Sequence, residues 1–159
     1  MKVYFSLGSN LGMKASNLAN AKSLLSKYIG PVISESKLYE SEPWGNEDQA
    51  SFINQCIICE TSLSCVDILE LTQRIERQLG KNKKEHWGPR FIDIDILFYD
   101  DHIIDSNDLV VPHPLLHERN FVLEPLNEIA PDLIHPILKK GIKDLYGFSR
   151  DHKKTSIIC

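Results

Sequence analysis

"WGPRFIDIDILFYDD", Trp87 to Asp101, is the stretch on which the fold turns. Phe91, Ile92, Ile94, Ile96, Leu97 and Phe98 make it read as a strand built to be buried, yet Asp93 and Asp95 stand in its middle. A carboxylate taken out of water is normally protonated or paired, because leaving it charged and alone is costly. Side chains alternate across a strand, so residues two apart project from the same face. Asp93 and Asp95 therefore form a two-carboxylate shelf on one face. Ile92, Ile94, Ile96 and Phe98 are expected on the opposite face, toward the core, and a cation is expected near the shelf.

Upstream of this strand, "KNKKEHWGPR" (81–90) is a loop carrying Lys81, Lys83, Lys84 and Arg90 against one acid, Glu85. It follows a helix in "SCVDILELTQRIERQL", where Ile68, Leu71, Ile75 and Leu79 line one face. Ser64 with Asp67 three residues on resembles a capping box at its start, and Gly80 stops it. Further back lie a strand at 51–63, a polar loop "EPWGNEDQA", and a strand at 32–41. Leu18, Ala21, Leu25 and Ile29 mark a helix from about Lys14 to Gly30, and residues 2–7 form the first strand. "GSNLG" between them reads as a strand-to-helix turn. Downstream come a short strand at 109–111, the turn "PHP", a helix near "NFVLEPLNEIA", and a less regular tail. The order β-α-β-β-α-β predicts an α+β, ferredoxin-like fold: a mainly antiparallel sheet with helices packed on it and a C-terminal extension, in a single domain over 1–159. That architecture serves many functions and names none.

A formal net charge of −4 argues against a general nucleic-acid binder. No apolar run approaches the roughly 18 residues of a membrane span, and "MKVYFSLGSN" lacks the cleavage site of a secretion signal. A cytoplasmic protein is expected. Cys56 and Cys59 form a C-x-x-C, but three residues along a strand they point to opposite faces, and no second pair follows; Cys65 and Cys159 are isolated. All four read as small buried or incidental residues.

Paired hard oxygen ligands suit Mg²⁺, which takes one or two carboxylates and completes its shell with water and phosphate oxygens. The alternative is an ordinary amphipathic strand with a solvated polar face. The cations Lys81, Lys83 and Arg90 beside the shelf make sense if a polyphosphate bridges them to the metal. There is no GxxxxGK[ST] and no GxGxxG, so a nucleotide would be held by metals and side chains. His113, between two prolines, is rigidly presented, and Arg119 follows it. Trp44 stands in a polar loop with no evident core to join.

Together, "SLGSNLG", "YESEPWG", "FINQC", "WGPRFIDIDIL" and "VPHPLLHERNFVLEPLNEIAP" resemble the 6-hydroxymethyl-7,8-dihydropterin pyrophosphokinases of folate biosynthesis, nearly end to end. The resemblance implies that Asp93 and Asp95 bind two Mg²⁺ ions. It places Asn54 as the hydrogen-bonding partner of the pterin, Phe52 and Phe121 as the aromatic pair around it, and Ser41 and Trp44 at the pocket rim. Gln73, Glu76, Lys83, Trp87, Arg90, His113 and Arg119 match positions grouped around ATP, the co-substrate. Arg90, His113 and Arg119 would also stabilise charge on the transferring group. The chain departs from the family where Lys81, Lys83 and His86 stand in place of arginines, because lysine lacks the bidentate fork.

The implied reaction moves a pyrophosphoryl group from ATP to the pterin hydroxymethyl oxygen and releases AMP, with no side chain assigned as general base. A monomer with small-molecule substrates, and no nucleic-acid or membrane partner, is expected. Loops 43–51 and 81–90, each with a tryptophan, are expected to close over the substrates. Two rivals fit less well. An RNA-binding module would carry an RNP1 pattern, which is missing. A metal-dependent nuclease would share the aspartate pair but have no need of aromatics around Asn54.

Overall fold

The computed structural model describes residues 1–80 and 88–158. Its elements in chain order are β1 (Lys2–Ser9), α1 (Lys14–Tyr28), β2 (Val32–Glu35), β3 (Leu38–Ser41), β4 (Phe52–Glu60), α2 (Cys65–Gln78), β5 (Asp93–Tyr99), β6 (Ile104–Asp105), β7 (Val110–Val111), α3 (Asn120–Ile129), α4 (Ile142–Gly147) and β8 (Thr155–Ile158). The main sheet runs β5-β1-β4-β3-β8, with β2 also on β4, and every pairing is antiparallel. Its central order, with α1 and α2 crossing one face, is the ferredoxin-like arrangement. β6 and β7 form a separate two-stranded ribbon.

The helices are where apolar periodicity and caps put them. Leu18, Ala21 and Leu25 of α1 are buried, as are Ile68 and Ile75 of α2. Ser64 caps α2, its Oγ accepting from the Asp67 amide at 3.2 Å and donating to the Asp67 carboxylate at 2.6 Å. These helices cover one sheet face with Val3, Phe5, Leu7, Ile57, Ile92, Ile94 and Ile96. α3 and α4 cover the other, over Tyr4, Cys56, Ile58, Leu97 and Phe98. The sheet is therefore buried on both faces along its middle.

Three details differ from the expectation. Phe98 does not join Ile92, Ile94 and Ile96. The β1–β5 ladder slips between Tyr4 and Phe5, so that Phe5 faces Ile96 and Tyr4 faces Phe98, with Leu97 as an extra residue. Such a bulge reverses the alternation, and Phe98 turns to the α3 face, edge-on to Tyr4 at 5.8 Å between centroids. The strand at 32–41 is two strands, interrupted at Ser36, whose Oγ accepts from the Cys56 amide and so substitutes for regular pairing. The tail is more ordered than its pattern suggests: it forms α4 and then β8, which pairs with β3 at the sheet edge. Cys56, Cys59 and Cys65 are buried free thiols, and burial pushes the Cys65 thiol up to about 11. Among the described residues no helix is long and apolar enough to cross a membrane.

Candidate active site

β1 and β4 are the middle of the sheet, and β5 lies at the free side of β1. In the register of these three strands Gly8 faces Asn54 on one side and Asp93 on the other, while Ser6 faces Asp95. The polar positions of three neighbouring strands are thus brought into one row. A cleft opens over them, lined by Ser6, Gly8, Ser41, Phe52, Asn54, Asp93 and Asp95 from the sheet, and by Glu42, Trp44, Arg90, Arg119 and Phe121 around it. Aromatic rings around a few convergent polar groups are the lining of a small-molecule site.

One end of the cleft sets aromatic rings around a buried carboxamide. Asn54, 1 % exposed, sits at the floor. Its Nδ2 donates to Ser41 Oγ at 2.7 Å and to the Tyr39 carbonyl at 3.4 Å. The carboxamide oxygen is turned toward Gly8, where a Cβ would come within 3.2 Å of it. Phe52, in β4, and Phe121, in the first turn of α3, stand over the same space.

The other end carries charge. Asp93 and Asp95 are half-buried on the cleft face of β5. Arg90 Nη1 donates to Asp93 Oδ2 at 3.0 Å, which answers the first carboxylate's need for a cation. Arg119, 7 % exposed, lies over the Trp44 ring at 4.5 Å and beside the Phe121 ring at 5.7 Å. Burial pushes its guanidinium down from the ordinary arginine value, and Asp95 and Asp93 push it back up. Burial lowers His113 most, with Arg119 adding to the effect and Asp93 opposing it, and the imidazole falls from 6.5 to about 4. His113 is therefore neutral at pH 7, and its Nδ1 accepts the Leu115 amide at 3.2 Å.

Of the residues expected at the site, Ser41, Trp44, Phe52, Asn54, Arg90, Asp93, Asp95, Arg119 and Phe121 all line this cleft. His113 stands close enough to feel Asp93 and Arg119 without lining it. Gln73 is exposed on α2, and Glu76, one turn on and buried, accepts the Ile94 amide at 2.7 Å, which ties α2 to β5 beside the carboxylates. Lys83 and Trp87, and with them Lys81 and His86, lie outside the described residues. The sequence reading missed Ser6, Gly8, Glu42 and Asn10. Asn10 is 2 % exposed and stitches three segments together. Its Oδ1 accepts the Arg90 amide at 2.8 Å, while its Nδ2 donates to Gln49 Oε1 at 3.0 Å and the Ala50 carbonyl at 3.2 Å. The available signal was the short polar run "GSN" at the end of a buried strand.

Residues 4–131 match the model of the family described as 7,8-dihydro-6-hydroxymethylpterin-pyrophosphokinase (HPPK). A 2-amino-4-hydroxy-6-hydroxymethyldihydropteridine pyrophosphokinase of Aquifex aeolicus is 41 % identical over 142 residues, covering 89 % of this chain and 88 % of that protein. One of Bacillus subtilis is 44 % identical over 128 residues, covering 80 % and 77 %. The Schizosaccharomyces pombe folic acid synthesis protein fol1 is 42 % identical over 142 residues, but this chain spans only 19 % of it. Among solved structures, wild-type Plasmodium falciparum HPPK-DHPS superposes with a TM-score of 0.72 at 18 % identity, over 92 % of this chain and 44 % of that one. At that identity the likeness carries the fold alone. By the extent of the family match and the identity to whole relatives, the chain belongs to the 7,8-dihydro-6-hydroxymethylpterin-pyrophosphokinase family.

Proposed function

We propose that this protein transfers a pyrophosphoryl group from ATP to the hydroxymethyl oxygen of 6-hydroxymethyl-7,8-dihydropterin, releasing AMP, in folate biosynthesis. The observation that carries the reading is the continuity of the cleft, in which Asn54, Phe52 and Phe121 adjoin Asp93, Asp95, Arg90 and Arg119. An acceptor bound flat between the phenyl rings would present its side chain to the carboxylate shelf.

The donor set fits magnesium. Two carboxylates share one strand face, and among the described residues no group of three His, Cys, Asp or Glu side chains forms a closed metal site. An ion held by two carboxylates keeps positions for water and phosphate oxygens, which is the habit of Mg²⁺ rather than of a structural metal. Bound there by Asp93 and Asp95, Mg²⁺ would supply charge neutralisation and a template for in-line displacement at the β-phosphorus.

The chain's own groups do the positioning that phosphoryl transfer chiefly demands. Asn54, its Nδ2 held by Ser41 and the Tyr39 carbonyl, orients the acceptor heterocycle through its carboxamide oxygen. Arg119, pinned against Trp44, offers charge to the transferring group, and Arg90, anchored to Asp93 and through its backbone to Asn10, to the phosphates. Both can stabilise negative charge in the transition state without reorganising. His113, its Nδ1 accepting the Leu115 amide, offers a hydrogen bond from the other ring nitrogen. Gln73, Glu76, Lys83 and Trp87 complete the proposed nucleotide side.

The test is release of AMP from ATP and Mg²⁺ with and without hydroxymethyl-dihydropterin. Pterin-dependent AMP release is expected; release of ADP, or AMP release indifferent to the pterin, overturns the reading.

A further inference from the structure

α3 begins without a cap of its own. Its N-cap position is Arg119, whose side chain makes no capping hydrogen bond, and its first turn contains no acid. Arginine and phenylalanine carry no acceptor oxygen, and Arg119 and Phe121 line the cleft, so the helix start itself offers no side chain that could cap the first amides. Uncapped first-turn N–H groups are a defect that helices normally repair with a side-chain oxygen.

Here the repair comes from 31 residues downstream. Asp151 Oδ2 accepts the Asn120 backbone amide at 2.8 Å, and the Asp151 carbonyl accepts Asn120 Nδ2 at 2.9 Å. Asp151 is itself held: its Oδ1 accepts the Lys153 amide at 3.0 Å, and its own amide donates to Ser149 Oγ at 3.2 Å. The segment that follows is fastened to the far side of the cleft. The Lys154 carbonyl accepts the Glu42 amide at 3.3 Å, Glu42 Oε2 accepts the Lys154 amide at 3.2 Å, and β8 continues along β3 past Ser41. A charged acceptor at a helix start also gains from the helix dipole.

We propose that Asp151, which lies beyond the family match over 4–131, is a positioning residue for the pterin site, acting through the first turn of α3 to set Arg119 and Phe121. The inference rests on the pterin reading of the cleft. The bond fixes where α3 begins, and the two residues on either side of Asn120 are the ones that face the ligand. Asp151 itself touches no substrate.

Pterin affinity, binding stoichiometry and affinity for a non-hydrolysable ATP analogue with Mg²⁺ are measured by titration for the parent, Asp151→Ala and Asp151→Asn. Asparagine keeps one of the two acceptor oxygens and sets its Nδ2 against the other amide, so it should rescue only part of what alanine loses. Asp151→Ala should raise the pterin Kd about fivefold at unchanged stoichiometry, of the size a lost cap allows, and leave the ATP-analogue Kd within about twofold. Amide hydrogen exchange over 120–123 should be faster in Asp151→Ala without any ligand. A general folding defect would instead lower stoichiometry and leave Kd where it was, and that result overturns the inference. So does Asp151→Ala with parental pterin affinity. Failure of the parent to bind pterin overturns the functional reading first and this inference with it. If Asp151→Ala does not fold, Asp151→Asn decides alone: a pterin Kd raised in step with faster exchange over 120–123 supports the proposal, and parental pterin affinity overturns it.

Discussion

Asp93 and Asp95 escape the penalty of burial because they project from β5 into the cleft while the isoleucines between and beside them project into the core. Their isoleucine neighbours are 0–6 % exposed, while the aspartates remain half-open and within reach of Arg90 and Arg119. Asp93→Asn should therefore fold normally yet lose turnover by roughly two orders of magnitude or more, the scale of a removed transition-state contact. Near-parental turnover beside a normal thermal melt would contradict the role given to the shelf. This pair was legible from alternation alone, as a polar dyad in an apolar strand. Gly8 was not, since a missing side chain leaves no mark in a pattern. Gly8→Ala would put a methyl group 3.2 Å from Asn54 Oδ1 and 3.7 Å from Phe52, so it should fold but weaken pterin binding several-fold, read by titration. His113 sets a pH dependence. Its folded value of about 4 lies below the ordinary 6.5, so the unfolded chain takes up a proton that the folded chain refuses. Stability is full above about pH 6.5 and falls as pH drops toward about 4. His113→Gln should flatten that part of the curve of thermal midpoint against pH; an unchanged slope would show that His113 does not govern it.

Elements were readable wherever the pattern was local. Both sheet-crossing helices carry their apolar stripe and α2 its cap, so periodicity located them. The bulge at Leu97 was not readable, because it exists only in the pairing of β5 with β1, and a single strand carries no record of its partner's register. The division at Ser36 is of the same kind: its hydroxyl competes with the ladder for the Cys56 amide, which β-propensity does not anticipate. β8 is short, and its pairing with β3 joins segments far apart in the chain, which no local pattern records. The turn between α1 and β2 shows how strict one element junction can be. Gly30 has φ +151°, and a Cβ there would stand 1.9 Å from the Glu60 carbonyl oxygen. Backbone would have to move, at the junction where β4 ends and Thr61 Oγ1 donates to the Ile29 carbonyl at 2.8 Å. Gly30→Ala should cost on the order of 2–4 kcal/mol, the range of strained backbone and overpacking combined. A urea midpoint within error of the parent would show that the junction relaxes freely.

At the scale of the molecule, the sheet separates two cores with different duties. The α1–α2 face buries Leu18, Leu25, Ile68 and Ile75 and sends no side chain of α1 into the cleft. The α3–α4 face buries Leu116, Val122, Leu123 and Leu126, and α3 itself bears Phe121 with Arg119 at its start. Leu25 and Leu123 are both 0 % exposed, so truncation to alanine should cost each a similar 2–5 kcal/mol. The functional consequences should differ. Leu123 lies two residues from Phe121, and its amide donates to the Arg119 carbonyl at 2.9 Å, so a cavity there lets the first turn of α3 shift relative to Asn54. A cavity under Leu25 relaxes into α1 and β2, away from the cleft. At a temperature where both variants are more than nine-tenths folded, Leu123→Ala should raise the pterin Kd several-fold, while Leu25→Ala should keep the parental value despite its lower melting point. Equal affinities in the two would mean that the sheet transmits packing defects evenly, and that the site draws its geometry from β1, β4 and β5 alone.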